Sequence, residues 1–347
     1  SKIDNGPVKQ TVASLEKAGV DYAVFTGAEP NPKIRNVQAG KKMYQDENCD
    51  SIITVGGGSA HDCGKGIGIV LTNGDDISKL AGIETLKNPL PPLMAVNTTA
   101  GTGSELTRHA VITNEKTHLK FVVVSWRNIP LVSFNDPMLM LDIPKDITAA
   151  TGCDAFVQAI EPYVSVDHNP ITDSQCKEAI QLIQTALPEV VANGHNIEAR
   201  TKMVEAEMLA GMAFNNANLG YVHAMAHQLG GQYDAPHGVC CALLLTTVEE
   251  YNLIACPERF AELAKVMGFD TTGLTLYEAA QKSIDGMREM CRLVGIPSSI
   301  KEIGAKPEDF EMMAKNALKD GNAFSNPRKG TVEDIVKLYQ KAYDGIY

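Results

Sequence analysis

A change of pattern near residue 144 constrains this chain more than any single motif. Before it, short apolar runs alternate with helical spacings. Residues 51–55 (SIITV) read as a buried strand, and 56–71 (GGGSAHDCGKGIGIVL) as a glycine turn opening a helix. Residues 93–97 (LMAVN) predict another strand, ending in TTAGTGSE. Helical spacing appears at 8–18 and 34–46, and short strands at 22–25 and 131–134. Residues 111–124 predict two extended segments paired antiparallel through NEKTHLK. Strands alternating with helices over short loops imply a parallel sheet covered on both faces. After Pro144 the strands all but vanish, and helices are predicted at 149–164, 172–191, 197–214, 220–229, 238–254, 258–267, 276–293, 307–318 and 332–342. The expectation is an α/β domain over 1–143 and an all-helical domain over 144–347, packed closely with a cleft between them.

A length of 347 residues suits two domains, and 44% hydrophobic with 21% charged residues is an ordinary globular composition. The formal charge of −11 argues against nucleic acid or an anionic membrane as a partner, because no cationic field gathers phosphates. No run approaches the roughly 18 apolar residues of a membrane span. Eight cysteines without a CxxC pair favour a reduced, cytoplasmic setting. Cys240 and Cys241 follow His237 closely enough to raise thiolate ligation, but the run CCALLL reads better as small buried thiols.

Chemistry gathers in residues 219–238, which carry His223, His227 and His237. His223 and His227 are four apart and share one helix face. Gly230 and Gly231 are expected to end that helix, Pro236 to stiffen the loop, and His237 to fold back from it. Converging imidazoles suit a transition metal with an open coordination position; the alternative is three unrelated histidines. Asp154 and Gln158, also four apart, present oxygens on one helix face, although an early-helix Asp commonly serves the helix dipole. Gly56, Gly57, Gly58 and Ser59 form a candidate phosphate cradle, with Ser59 as helix cap and Asp62 in the first turn. His61 stands where the dinucleotide fingerprint has its third glycine, so a tight structural turn is the competing reading. The loop 98–105 (TTAGTGSE) offers hydroxyls at a strand's carboxyl end, where open α/β sheets bind nucleotides. Lys120 offers a cation for a cofactor phosphate or ribose, with a solvated strand lysine as the competing reading, and Asn326, Pro327 and Arg328 form a turn whose role spacing does not show.

Together GGGSAHDCGKGIGI, AGIETLKNPLPP, VNTTAGTGSELTRHAVITN, KFVVVSWRN, AGMAFNNANLGYVHAMAHQLGG and LKDGNAFSNPRKG resemble the iron-containing (group III) alcohol dehydrogenase family over nearly the whole chain. The resemblance implies a dehydroquinate synthase-like architecture, with a dinucleotide-binding α/β domain and a helical domain holding one divalent metal. It implies Asp154, His223 and His237 as ligands, with Gln158 standing where the family has a further ligand histidine. A Gln carbonyl is a weaker, harder donor than imidazole, so either it ligates or water replaces it; Fe2+ is expected, with Ni2+ or Zn2+ as alternatives. His227 falls at the family's non-ligand histidine near substrate and nicotinamide. Gly57, Gly58, Ser59, Thr98, Thr99, Thr102, Lys120 and Asn31 map onto cofactor contacts.

The implied activity interconverts a short-chain diol or primary alcohol, foremost 1,3-propanediol, with its aldehyde, using NAD. A cytoplasmic homo-oligomer is implied as well. A zinc polyol dehydrogenase, a non-redox metal lyase of the same fold and a catalytically silent assembly subunit are the other readings. The chain opens on Ser and a helix, whereas the family begins with two to three strands, one bearing the Asp that selects NAD over NADP. Residues are therefore expected to precede Ser1.

Overall fold

The computed structural model describes residues 6–117 and 119–346. They form two compact units, one comprising the residues up to Thr99 with Gly103–Asp142, the other Ala100–Thr102 with the chain from Ile143 onward.

The first unit contains helices α1 (Gly6–Ala18), α2 (Ile34–Asp46) and α3 (Gly58–Thr72) and strands β1 (Ile52–Gly56), β2 (Gly82–Ile83), β3 (Leu93–Asn97), β4 (His109–Asn114), β5 (Leu119–Val124) and β6 (Val132–Phe134). Strands β1, β3 and β6 make a parallel sheet in that order. Gly56 is in register with Asn97, and Thr98 N donates to Gly56 O at 3.0 Å. The two loops singled out in sequence therefore leave the sheet side by side. A second sheet runs β2–β5–β4, with β4 and β5 antiparallel. Val37, Ile69, Val70, Ile77, Ala110, Ile112 and Val123 form a core joining α2 and α3 to β4 and β5.

Two expectations need correction here. Residues 22–25 are not a strand: they pair with no strand among the described residues, and an apolar run becomes a strand only beside a ladder. The parallel sheet is also not covered throughout, because Val132 and Phe134 of β6 are 44% and 51% exposed. Strand β2 was not foreseen, since two residues carry no period.

In the second unit, α4 (Lys145–Val164) is buried from Gly152 to Val164 without a break. A helix apolar all round belongs in a core, and α4 packs against α5 (Pro170–Ala192), α6 (Ile197–Ala217) and α8 (His237–Asn252). Helix α7 (Tyr221–Tyr233) packs on α8, and α9 (Pro257–Val266), α10 (Leu276–Leu293), α11 (Phe310–Ala317) and α12 (Val332–Asp344) complete the unit. Gly230 and Gly231 do not end α7. Both are buried inside it, and the helix stops at Asp234, whose left-handed φ of 52° turns the chain. His237 is accordingly not a loop residue but the first residue of α8.

The segment His237–Ala255 is long and apolar enough to cross a membrane, at mean hydropathy 1.3, contrary to the reading that no such run exists. Two-thirds of it (67%) is buried within the protein, so it serves as a core helix.

Candidate metal centre

Three helices supply the donors. Asp154 lies in the middle of α4, His223 in the first turn of α7, and His237 at the start of α8. Close approach of α8 to α4 depends on Gly238, where a Cβ would stand 2.2 Å from Ala150 O. Asp154 Oδ1 lies 3.5 Å from His223 Nε2 and 3.7 Å from His237 Nε2. These spacings are long for hydrogen bonds. Two ligands held about 2.0–2.2 Å from one tetrahedral ion stand about 3.3–3.6 Å apart, so the pairs suit a shared cation. Asp154 Oδ1, His223 Nε2 and Gln158 Oε1 are buried with no hydrogen-bond partner among the described residues, a set of donors whose free lone pairs a divalent ion satisfies. The rings of His223, His227 and His237 converge, with centroids 5.4–6.4 Å apart.

Two of the three imidazoles, His223 and His227, have a carboxylate behind them. Glu161 Oε2 accepts from His223 Nδ1 at 2.5 Å, and Glu161 Oε1 accepts from Val222 N at 2.7 Å. One carboxylate thus fixes the ring and closes the helix N-terminus, leaving Nε2 as the inward atom. His227 Nδ1 lies 2.8 Å from Asp320 Oδ2, which orients the ring in the same way. Asn326 Oδ1 accepts from Tyr221 N and from Asn252 Nδ2, so the late turn without an evident purpose secures the start of α7. Burial opposes charge on His223, but Cys241, Glu161 and Asp154 outweigh it and raise its proton affinity well above the ordinary value. Glu161 and Asp320 were missed in sequence and Asn326 was noted without a role, because the groups they hold lie far along the chain and leave no local signal. Cys241 belongs to the donor group as well: its sulfur and the ligand atoms of Asp154, His223 and His237 lie within 4.8 Å of one another. Burial pushes its thiol up to about 12.

In the first unit, Gly57 is the N-cap of α3, which has no side-chain cap among the described residues, so Ser59 is not the cap. Asp62 falls beyond the first turn and instead accepts from Ser104 Oγ at 2.7 Å. A Cβ at Gly57 would stand 2.6 Å from Thr99 Oγ1, a cradle only glycine leaves open. Backbone N–H groups of Gly58 and Ser59 at an uncapped helix start suit a diphosphate. Lys120 Nζ donates to Asn31 Oδ1 at 2.7 Å, joining two residues placed far apart in sequence, and Asn31 adopts a left-handed φ of 50°. Thr98 and Thr99 stand beside Gly56 and Gly57, whereas Thr102 packs with the second unit. Sequence reasoning also missed buried Lys65, whose Nζ donates to Thr107 O and His109 O at 2.8 Å and to Ser104, tying down the segment after the threonine loop. His61 is structural: burial and Lys65 push it down to about 3, and Thr54 Oγ1 holds its Nδ1 at 2.7 Å.

An uncapped glycine cradle on a parallel sheet and an Asp154–His223–His237 group on converging helices suit an enzyme that uses a dinucleotide and a metal. Residues 1–137 match the model of iron-containing alcohol dehydrogenases, and residues 148–343 match the C-terminal model of the Fe-containing alcohol dehydrogenase family. The chain is 56% identical to a 1,3-propanediol dehydrogenase of Citrobacter freundii over 98% of its own length and 88% of that protein's. It resembles the solved alcohol dehydrogenase from Oenococcus oeni at 78% identity and a TM-score of 0.95, covering 98% of this chain and 89% of that one. A sulfoacetaldehyde reductase from Bifidobacterium kashiwanohense, solved in complex with NAD+, matches at 32% identity and a TM-score of 0.81, covering 96% and 89%. The chain belongs to the iron-containing alcohol dehydrogenase family and is a metal-dependent alcohol dehydrogenase.

Proposed function

We propose that the protein interconverts a short-chain diol or primary alcohol, foremost 1,3-propanediol, with its aldehyde, using NAD as the hydride carrier. The observation that carries this reading is the convergence of Asp154 Oδ1 on His223 Nε2 and His237 Nε2 at 3.5 and 3.7 Å. These three residues hold the divalent ion, Fe2+ by family and Ni2+ or Zn2+ as alternatives. Gln158 offers a neutral oxygen one turn along α4. An ion held there supplies Lewis acidity to an alcohol oxygen, or to an aldehyde carbonyl in reverse.

The chain's own residues do the rest. Glu161 fixes the His223 ring, and Asp320 holds His227 so that its Nε2 serves to relay the hydroxyl proton to solvent. Gly57, Gly58 and Ser59 receive the diphosphate, with Thr98, Thr99, Lys120 and Asn31 contributing hydroxyl, cationic and amide contacts. Support for the diol comes from the Citrobacter relative, and for NAD from the Bifidobacterium structure and its bound dinucleotide. The reading extends to a cytoplasmic homo-oligomer, which sizing chromatography and cell fractionation test.

The decisive experiment strips the metal, reloads Fe2+, Ni2+ or Zn2+ separately, and follows dinucleotide reduction with 1,3-propanediol. Turnover restored by Fe2+ with NAD is expected. Full turnover by metal-stripped protein, or a preference for NADP, overturns the corresponding part.

A further inference from the structure

Cys241 lies on α8 one turn after His237, and its buried sulfur and the ligand atoms of Asp154, His223 and His237 lie within 4.8 Å of one another. Sγ lies 3.7 Å from His237 Nε2 and 3.9 Å from Nδ1. A thiolate about 2.3 Å and an imidazole nitrogen about 2.0–2.1 Å from one tetrahedral ion stand about 3.5–3.6 Å apart. The 3.7 Å to Nε2 is close to that spacing, whereas the 3.9 Å to Nδ1 sets the sulfur beside the ring, so a side-chain rotation of Cys241 or His237 carries it onto the ion. Among the described residues the donor group includes Cys241 and not its neighbour Cys240. Two further members, Asp154 Oδ1 and His223 Nε2, are buried and have no hydrogen-bond partner among the described residues.

We propose that Cys241 is the fourth protein ligand, giving an Asp154–His223–His237–Cys241 set without an amide donor from Gln158, with the substrate oxygen entering as a fifth ligand. The proposal rests on the first three residues being ligands, as argued above. On binding, the S–H bond breaks and a sulfur–metal bond forms; the proton passes to buffer and no electron is transferred. Asp154 and Cys241 then present two anions to a divalent ion.

Co2+ is the probe, because cobalt–thiolate coordination gives a sulfur-to-metal charge-transfer band in the near ultraviolet. Titration of the whole metal-stripped protein is expected to develop that band in the wild type, in Cys240→Ser and in Gln158→Ala. Cys241→Ser is expected to lose the band and bind Co2+ at least about tenfold more weakly, no less than the loss of an outer-shell partner. Should Cys241→Ser fail to fold, the wild-type spectrum still decides, since tight binding without the band overturns the proposal. Loss of the band in Cys240→Ser but not in Cys241→Ser overturns it equally. Asp154→Asn separates the two levels of the argument: Co2+ binding as tight as wild type there removes the underlying ligand set, and Cys241 ligation falls with it.

Discussion

The two units build their sites from opposite materials. In the α/β unit the cradle is backbone: an uncapped helix start at Gly57 and Gly58, with Thr99 pressed against the space a side chain would need. In the helical unit the candidate donors are side chains, Asp154 and His223 buried and His237 half-buried; Glu161 holds the His223 ring, and Asp320 holds that of the neighbouring His227. The cradle should therefore tolerate changes of polarity and fail on added bulk. The metal centre should tolerate little change of charge, because each carboxylate removed leaves a donor without its brace.

Removing Asp154's charge is the strongest way to test the contrast. Asp154→Asn keeps the shape and deletes the anion, and is expected to lower turnover by on the order of 10³-fold or more, beyond the roughly 10–100-fold attached to outer-shell partners. Metal content measured beside activity checks the cause: retained metal with lost activity would mean that Asp154 serves something other than ligation. Glu161→Gln should fall in the roughly 10–100-fold range, read as weaker metal affinity that excess metal restores. A silent Glu161→Gln would show that the donors need no brace and would break the contrast.

The cradle gives smaller effects with a different signature. Gly57→Val puts atoms into the space of Thr99 Oγ1, 2.6 Å from the first added carbon. Overpacking costs about 1–3 kcal/mol, so the KM for the dinucleotide should rise on the order of tenfold while metal content is unchanged. Ser59→Ala, lacking any cap to lose, is the matched control and should change KM by less than about twofold. Reversed ranks for these two variants would mean that the cradle works through its hydroxyl.

What the sequence revealed follows from how far apart the partners lie. Asp154 and Gln158, or His223 and His227, are four apart, and helical spacing alone put each pair on one face. The parallel pairing of β1 with β3 was legible from SIITV and LMAVN, whose β-branched and apolar runs suit buried strands. Glu161 and Asp320 lie 62 and 93 residues from the rings they orient, a distance no periodicity reports. Cys241 was visible but weighed as packing, because an apolar run hides a donor as readily as it hides a core residue. The end of α7 was misplaced for a related reason: glycine pairs usually stop helices, but buried Gly230 and Gly231 sit where packing outweighs propensity.

Glu249 sharpens the contrast with the least expected effect on turnover. It is fully buried on α8, with Asn252 Nδ2 donating to Oε2 at 3.2 Å, and burial, aided by the nearby Glu161, pushes its carboxyl up to about 8. The folded state therefore keeps a proton that the unfolded chain releases near its ordinary value of about 4.5. Wherever the folded state binds the extra proton, stability falls as pH rises. The stabilising share is complete below about 4.5 and is lost as pH climbs to about 8, after which it levels off. Glu249→Gln has no proton to lose, so its melting temperature should exceed that of the wild type by a margin that grows from pH 5 to about 8, with turnover of the metal-loaded enzyme nearly unchanged. A constant margin across that range would mean that Glu249 is ionised in the fold.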